Sequence, residues 1–244
     1  MTDNSEGAPP FKRKIRTKKV WLYFYIGLSA TVVSADEKLP EDPTKIVTKA
    51  GFSLADELSL SGSIGLDETR KINARINEQA TEWRVGGSWL FKRGIVNFNI
   101  GQNEFDNGAS QTNYSIGTFI PLSIFGMTPG GWQIFPMAGY TYNDGNVAIE
   151  NLETDIQSDY ILMPTASHGG YLGAFALRPL TDRWTLMSFG GGAIGSNDYS
   201  GYWAGVGGGY KINDNHSFNL SAFYSDNTFG QDDKVVFSYT YELE

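Results

Sequence analysis

Apolar and polar residues change places at almost every step of the closing stretch. Val235, Phe237, Tyr239, Tyr241 and Leu243 occupy one set of positions and Ser238, Thr240 and Glu242 the other. A strand turns successive side chains to opposite faces, so such a stretch is a strand with one apolar and one polar side. The same period recurs along the chain. Ile46-Thr48-Ala50-Phe52, Leu58 to Leu66, Ile72-Ala74-Ile76, Trp83 to Phe91, Val96-Phe98-Ile100 and Tyr114 to Ile120 make six runs, and Trp132 to Tyr142 a seventh. Tyr171-Gly173-Phe175-Leu177, a less regular run from Trp184 to Ile194, Tyr202 to Ile212, Phe218 to Tyr224 and the closing stretch complete twelve strand candidates.

The connections add a second pattern. Counted back from the C-terminus, the expected loops are long near Ser225 to Asp233, short at Asn213 to Asn215, intermediate at Gly195 to Ser200 and short at Leu180 to Arg183. They are then very long from Asn143 to Ser167, long from Gln102 to Asn113 and short at Phe91 to Gly94, with Ile124 to Gly131 the exception in a slot that wants a tight turn. Short turns at one rim and long loops at the other are the layout of an up-and-down barrel that spans a membrane. At ~10 residues per spanning strand, twelve strands use about 120 residues, so ten to twelve strands fit the chain and twelve is the favoured count.

Before these runs, Lys12, Arg13, Lys14, Arg16, Lys18 and Lys19 precede the apolar stretch Val20 to Val33, followed by small residues at Val33-Ser34-Ala35. A basic region, a short apolar region and small residues read as a secretory signal peptide over residues 1–35. Fourteen residues fall short of the ~20 that a spanning helix needs. Residues 36–44, with Pro40 and Pro43, then form a short periplasmic segment and residues 45–244 the barrel. That leader holds six of the 19 basic and two of the 27 acidic residues, leaving 13 against 25 and a net charge of −12. Nucleic acid is thereby excluded as a partner. The chain has no cysteine, so packing and backbone pairing must supply its stability.

The face opposite the apolar row is largely Gly, Ser and Asn, as in SLSGS, FNLS and VGGGY, with few long charged side chains. Small polar residues suit a lumen better than a solvated surface. Aromatic residues gather near strand ends: Trp83, Phe91, Trp132, Tyr142, Trp184, Tyr202, Tyr210, Tyr224, Tyr239 and Tyr241. Two rows of such rings at headgroup level are the girdles expected of a membrane barrel. With leader, alternation, loop asymmetry and an amphipathic last strand together, the chain resembles the outer-membrane β-barrel proteins of Gram-negative bacteria, porin-like or autotransporter-barrel-like, over residues 36–244. The resemblance implies an all-β transmembrane antiparallel barrel in the cell outer membrane. It also implies lipids and lipopolysaccharide as surroundings and the barrel assembly machinery as a partner. Members of that class typically end in an aromatic residue, whereas this chain ends Tyr241-Glu242-Leu243-Glu244.

Chemistry is sparse. No metal-ligand spacing or phosphate loop occurs, no cofactor is expected, and no residue is nominated as catalytic. The glycine-rich run Phe189 to Gly195 reads as a closely packed strand and not as a nucleotide loop. Of two histidines, His216 reads as a turn residue. His168, beside Ser167, faces the lumen if Tyr171, Gly173 and Phe175 face lipid. Lys49, Lys71, Arg75 and Arg84 fall on the polar face of the first four strands and are candidates for a basic lumen wall favouring small anionic solutes. Their alternative is pairing with acids such as Glu82 or Glu242. Asp144, Glu150, Glu153, Asp155 and Asp159 make the longest loop acidic, for divalent cations or for solubility alone. The expected role is a passive or weakly selective pore, not an enzyme. The competing roles are a non-conducting structural or adhesive barrel and a lipid-modifying enzyme built on His168.

Overall fold

Twelve strands form at the twelve alternating runs. The structure, a computed structural model, describes residues 38–150 and 160–243. The strands are β1 (Thr48–Leu54), β2 (Leu58–Gly65), β3 (Arg70–Asn77), β4 (Glu82–Phe91), β5 (Gly94–Glu104) and β6 (Ser110–Phe119), then β7 (Gln133–Glu150), β8 (Tyr160–Pro179), β9 (Trp184–Gly195), β10 (Ser200–Lys211), β11 (His216–Asn227) and β12 (Gly230–Leu243). Each pairs antiparallel with its sequence neighbours, and β12 pairs with β1 from Thr48 opposite Leu243 to Leu54 opposite Phe237. The sheet therefore closes into a barrel and leaves no unpaired edge. Both ends of the strand series lie at one rim, the terminal rim; the opposite one is the distal rim.

Alternation sorts the side chains as the period-two rule requires. The row Val235, Phe237, Tyr241 and Leu243 stands on the outside, and so do Leu60, Ile72, Phe98, Ile116 and Leu220. Ile194 is 76% exposed and Leu172 69%, values that a water-soluble surface does not sustain over a whole circumference. An apolar outer band around a closed antiparallel sheet is the geometry by which strands cross a bilayer, because every backbone group is paired within the barrel.

Two expectations need correction. The long loops at the distal rim are in fact strand: Ser225, Asp226 and Asn227 of β11 pair with Asp232, Gln231 and Gly230 of β12, so only Thr228 and Phe229 turn the chain. Likewise β5 runs to Glu104, and β7 and β8 pair as far as Glu150 opposite Tyr160. These segments carry Asn, Asp and Ser, which composition assigns to loops, but ladder bonds form between backbones whatever the side chain. Secondly, β8 has the reverse facing: Tyr171, Gly173 and Phe175 turn inward, and Leu172 turns out with its neighbours of the same parity. Both parities of this strand are apolar, so period alone does not choose between them. The residues before β1 pack against the barrel interior at the terminal rim. Leu39 packs against the buried Phe135, Leu177 and Met187, and Thr44 is 2% exposed. The signal peptide expected over residues 1–35 lies outside the described residues, as do Glu153, Asp155 and Asp159.

The interior is divided. On β7 to β11 it is filled with rings: Phe135 to Phe175 at 6.2 Å, Phe175 to Phe189 at 6.3 Å, and Phe189 to Phe223 at 6.0 Å between centroids. The last step skips a strand. It is possible because Gly205 of β10 has no side chain where the Phe189 ring lies. Trp203 uses the same device, its ring 2.5 Å from where a Cβ on Gly191 would stand. Gly205 on β10 and Gly191, the inward glycine of the run on β9, thus each make a floor for an aromatic side chain.

Candidate functional site

The other half of the interior, on β1 to β6, is built of short polar and basic side chains. Ser61 and Ser63 on β2, Asn73 on β3, Ser88 on β4, and Asn97 and Asn99 on β5 are too small to meet across the barrel. They leave a chamber of about 640 Å³, closed on the far side by Tyr171 and Trp203. Lys49, Lys71, Arg75 and Arg84 all line this one chamber. Toward the distal rim lies a second hollow of about 220 Å³, a vestibule lined by carboxylates that include Asp56, Glu57, Glu104, Asp106 and Asp233. Arg75 is the residue common to both linings.

The four cations differ in what holds them. Lys71 donates to the Lys45 carbonyl at 2.6 Å. Arg75 stands 3.8 Å from Glu82 and 3.4 Å from the Ser59 hydroxyl, and its Nε has no partner. Glu82 is held more closely by Lys234, at 2.9 Å, and Lys234 also meets Asp232 at 2.9 Å. Lys49 and Arg84 make no hydrogen bond or ion pair among the described residues. Glu242, a partner considered for this group, instead pairs with Lys45 at 2.7 Å. Lys234 lies at an inward position of the last strand, two residues before Val236 and four before Ser238, and that parity was the signal that could have found it.

The segment before β1 forms the chamber floor at the terminal rim. Asp42 caps its turn, accepting from the Thr44 amide and hydroxyl, both at 2.7 Å, and Lys38 donates to the Thr44 carbonyl at 3.0 Å. Pro43 lines the chamber, Leu39 reaches the β7–β9 core, and Glu41 reaches Gly209 and Asn219 on β10 and β11. Burial pushes the Glu41 carboxyl above its ordinary range, against the opposing pull of a backbone hydrogen bond and of Lys49 and Lys45. One of its oxygens is buried without a partner. At the distal rim Tyr199, Phe229 and Phe105 pack together as a cap.

The ten aromatic residues singled out from the sequence all take outward positions. Phe91, Trp132, Trp184, Tyr210, Tyr239 and Tyr241 lie toward the terminal rim, with the Trp184 and Tyr210 rings tilted against each other at 4.8 Å between centroids. Trp83, Tyr142, Tyr202 and Tyr224 lie toward the distal rim. Both histidines also face out. His216 meets the Tyr239 hydroxyl at 2.5 Å, and His168 lies 3.2 Å from the Ser196 hydroxyl. The lumen placement of His168 is therefore wrong, for the same reason that β8 has the opposite facing.

The site and the fold define a class: a closed twelve-stranded barrel of the outer-membrane type, with a polar chamber inside it. No protein-family model matches the chain, and no curated protein matches it in sequence. Solved structures match in fold. The translocator domain of the autotransporter NalP from Neisseria meningitidis is 11% identical, with a TM-score of 0.53 over 80% of this chain and 85% of that one. The NanC porin is 9% identical over 81% and 99% of the two chains, at a TM-score of 0.48. The KdgM porin, in complex with disordered oligogalacturonate, is 6% identical over 82% and 100% of the two chains, at a TM-score of 0.42. At these identities the likeness shows the fold alone.

Proposed function

We propose that the protein is a barrel of the bacterial outer membrane that gives small solutes a route through its polar half, with anions preferred. The observation that supports this most directly is the chamber itself: about 640 Å³ of space inside a barrel whose outside is apolar, beside a second hollow at the distal rim. Unpaired cations facing water raise the local concentration of anions. The two rows of outward rings suit the headgroup levels of a bilayer. Conductance of the refolded protein in a planar bilayer tests the reading. Steps whose reversal potential in a salt gradient reports anion preference are expected, and no steps under any salt would sink it.

A second reading, a non-conducting barrel that acts through its rim, is favoured by one observation: both ends of the interior are partly filled. Residues 38–47 occupy the terminal mouth and the Phe105, Tyr199 and Phe229 cluster the distal one. The same recording separates the two, since this reading expects a silent membrane.

A further inference from the structure

Arg75 and Arg84 stand directly opposite each other on β3 and β4, both turned inward. Like charges in register across a sheet repel. Nothing in the surroundings relieves the pair fully. Glu82, at 3.8 Å from Arg75, is too far for a hydrogen bond and is engaged at 2.9 Å by Lys234. Arg84 has no hydrogen-bond or ion-pair partner among the described residues, and the Arg75 Nε is equally unsatisfied. Space is also left for something to reach them. The residue opposite Arg84 on β5 is Gly101, so on that side no side chain covers its guanidinium. Two planar forks with free N–H groups fit the oxygens of a carboxylate or a phosphate, which an ammonium pair would not grip in the same way.

We propose that Arg75 and Arg84 form an oxyanion-binding site at the neck between vestibule and chamber. It takes the carboxylate or phosphate of a small solute, and Glu82 is the built-in anion that the solute displaces. The site deepens, and rests on, the reading of the chamber as a solute route. A solute that passes the carboxylates of the vestibule, which repel an anion, meets Arg75 first, since Arg75 lines both spaces. It competes there with Glu82. Lys234 then keeps the released Glu82 carboxylate in place, so no charge is stranded when the exchange occurs. Arg84 supplies the second fork, and Lys49 and Lys71 continue the positive wall beyond it.

The test is titration of the refolded full chain in detergent with inorganic phosphate at fixed ionic strength, with heat-modifiable migration confirming that each variant is folded. Wild type is expected to bind phosphate. Arg84→Ser should weaken binding about tenfold or more, the weight of a charge-assisted pair of hydrogen bonds. Arg84→Lys should restore part of it, keeping charge but losing the fork. Glu82→Gln should tighten binding by about two- to fivefold, the worth of an ion pair that water reaches. Unchanged binding in Arg84→Ser, or weaker binding in Glu82→Gln, would overturn the proposal. A barrel that conducts but binds no phosphate overturns the site and leaves the route standing. One that binds phosphate with this variant pattern, yet never conducts, supports the site and removes the route.

Discussion

Replacing Leu220 by arginine separates a bilayer-facing surface from a water-facing one. Leu220 lies on the outer face of β11, 57% exposed, between Gly208 on one side and Phe237 on the other. Along its own strand it is four residues from His216, at the Tyr239 level, and four from Tyr224, at the Tyr202 level. At ~3.3 Å per residue and a tilt of ~40°, each ring level is about 10 Å away along the membrane normal. Leu220 therefore sits close to the middle of a band ~25 Å tall. Arginine at that depth costs about 2–4 kcal/mol, which lowers the folding equilibrium constant roughly 30- to 700-fold. The assay is urea unfolding of the refolded protein in lipid vesicles, followed by tryptophan fluorescence. Ser115→Arg, which adds the same side chain toward the chamber, is the control and should stay within about 1 kcal/mol. If Leu220→Arg changes stability by no more than about 0.5 kcal/mol, the figure for an ordinary wet surface, the outer face is not in lipid and the membrane reading falls.

Two further outcomes follow from the interior. Leu177 is fully buried with Phe135 and Met187, so Leu177→Ala should cost about 2–5 kcal/mol by transfer and cavity formation, measured in the same vesicles; a loss under about 1 kcal/mol would mean that this half is loosely filled. Glu41 has its carboxyl raised by burial when the segment before β1 is docked. The docked state therefore binds the proton more tightly, and its extra stability is present below the undocked value near 4.5 and lost as pH rises through the docked one. Hydrogen-exchange protection of the Lys45 amide, which donates to the Asp42 carbonyl at 3.1 Å, should decline as pH rises across that range, and Glu41→Gln should flatten the decline. Protection that does not vary with pH would show that Glu41 does not report on docking.

The barrel was legible because a closed antiparallel sheet has one dominant rule, alternation, and Phe237, Tyr239 and Tyr241 obey it beside Ser238 and Thr240 without interruption. The run from Trp184 to Ile194 obeys it less visibly, since its inward positions hold Phe189 and Gly191 and its outward ones Gly190 and Gly192. There neither face is uniformly apolar. In β8 the rule was silent, because Tyr171, Phe175 and Leu177 alternate with Leu172, Ala174 and Ala176. The choice of face falls to tertiary packing, where the Tyr171 ring finds room over Gly139 on β7 and Gly117 on β6. Residues 38–47 escaped for a different reason. Lys38, Glu41, Asp42 and Lys45 look like a solvated tail, and only contacts with Leu177, Asn219 and Glu242, more than a hundred residues away, bring them indoors.

The division of the interior explains why four of the thirteen basic residues after residue 35 could be placed in one wall. A barrel of twelve strands is wide enough that one half can be packed as a core and the other left polar. The rings of Phe135, Phe175, Phe189 and Phe223 fill the first half and stiffen it. Serine, asparagine and glycine keep the second half open. In that half a cation costs little to keep, because water reaches it, whereas the same charge among the rings would need a partner. Among the described residues Arg84 and Lys49 make no hydrogen bond or ion pair where the wall is open, while Lys45 and Lys234, at its two ends, are paired. Charge is therefore left unneutralised along the middle of the polar wall and neutralised at its ends. A wall built only for stability would pair its cations throughout.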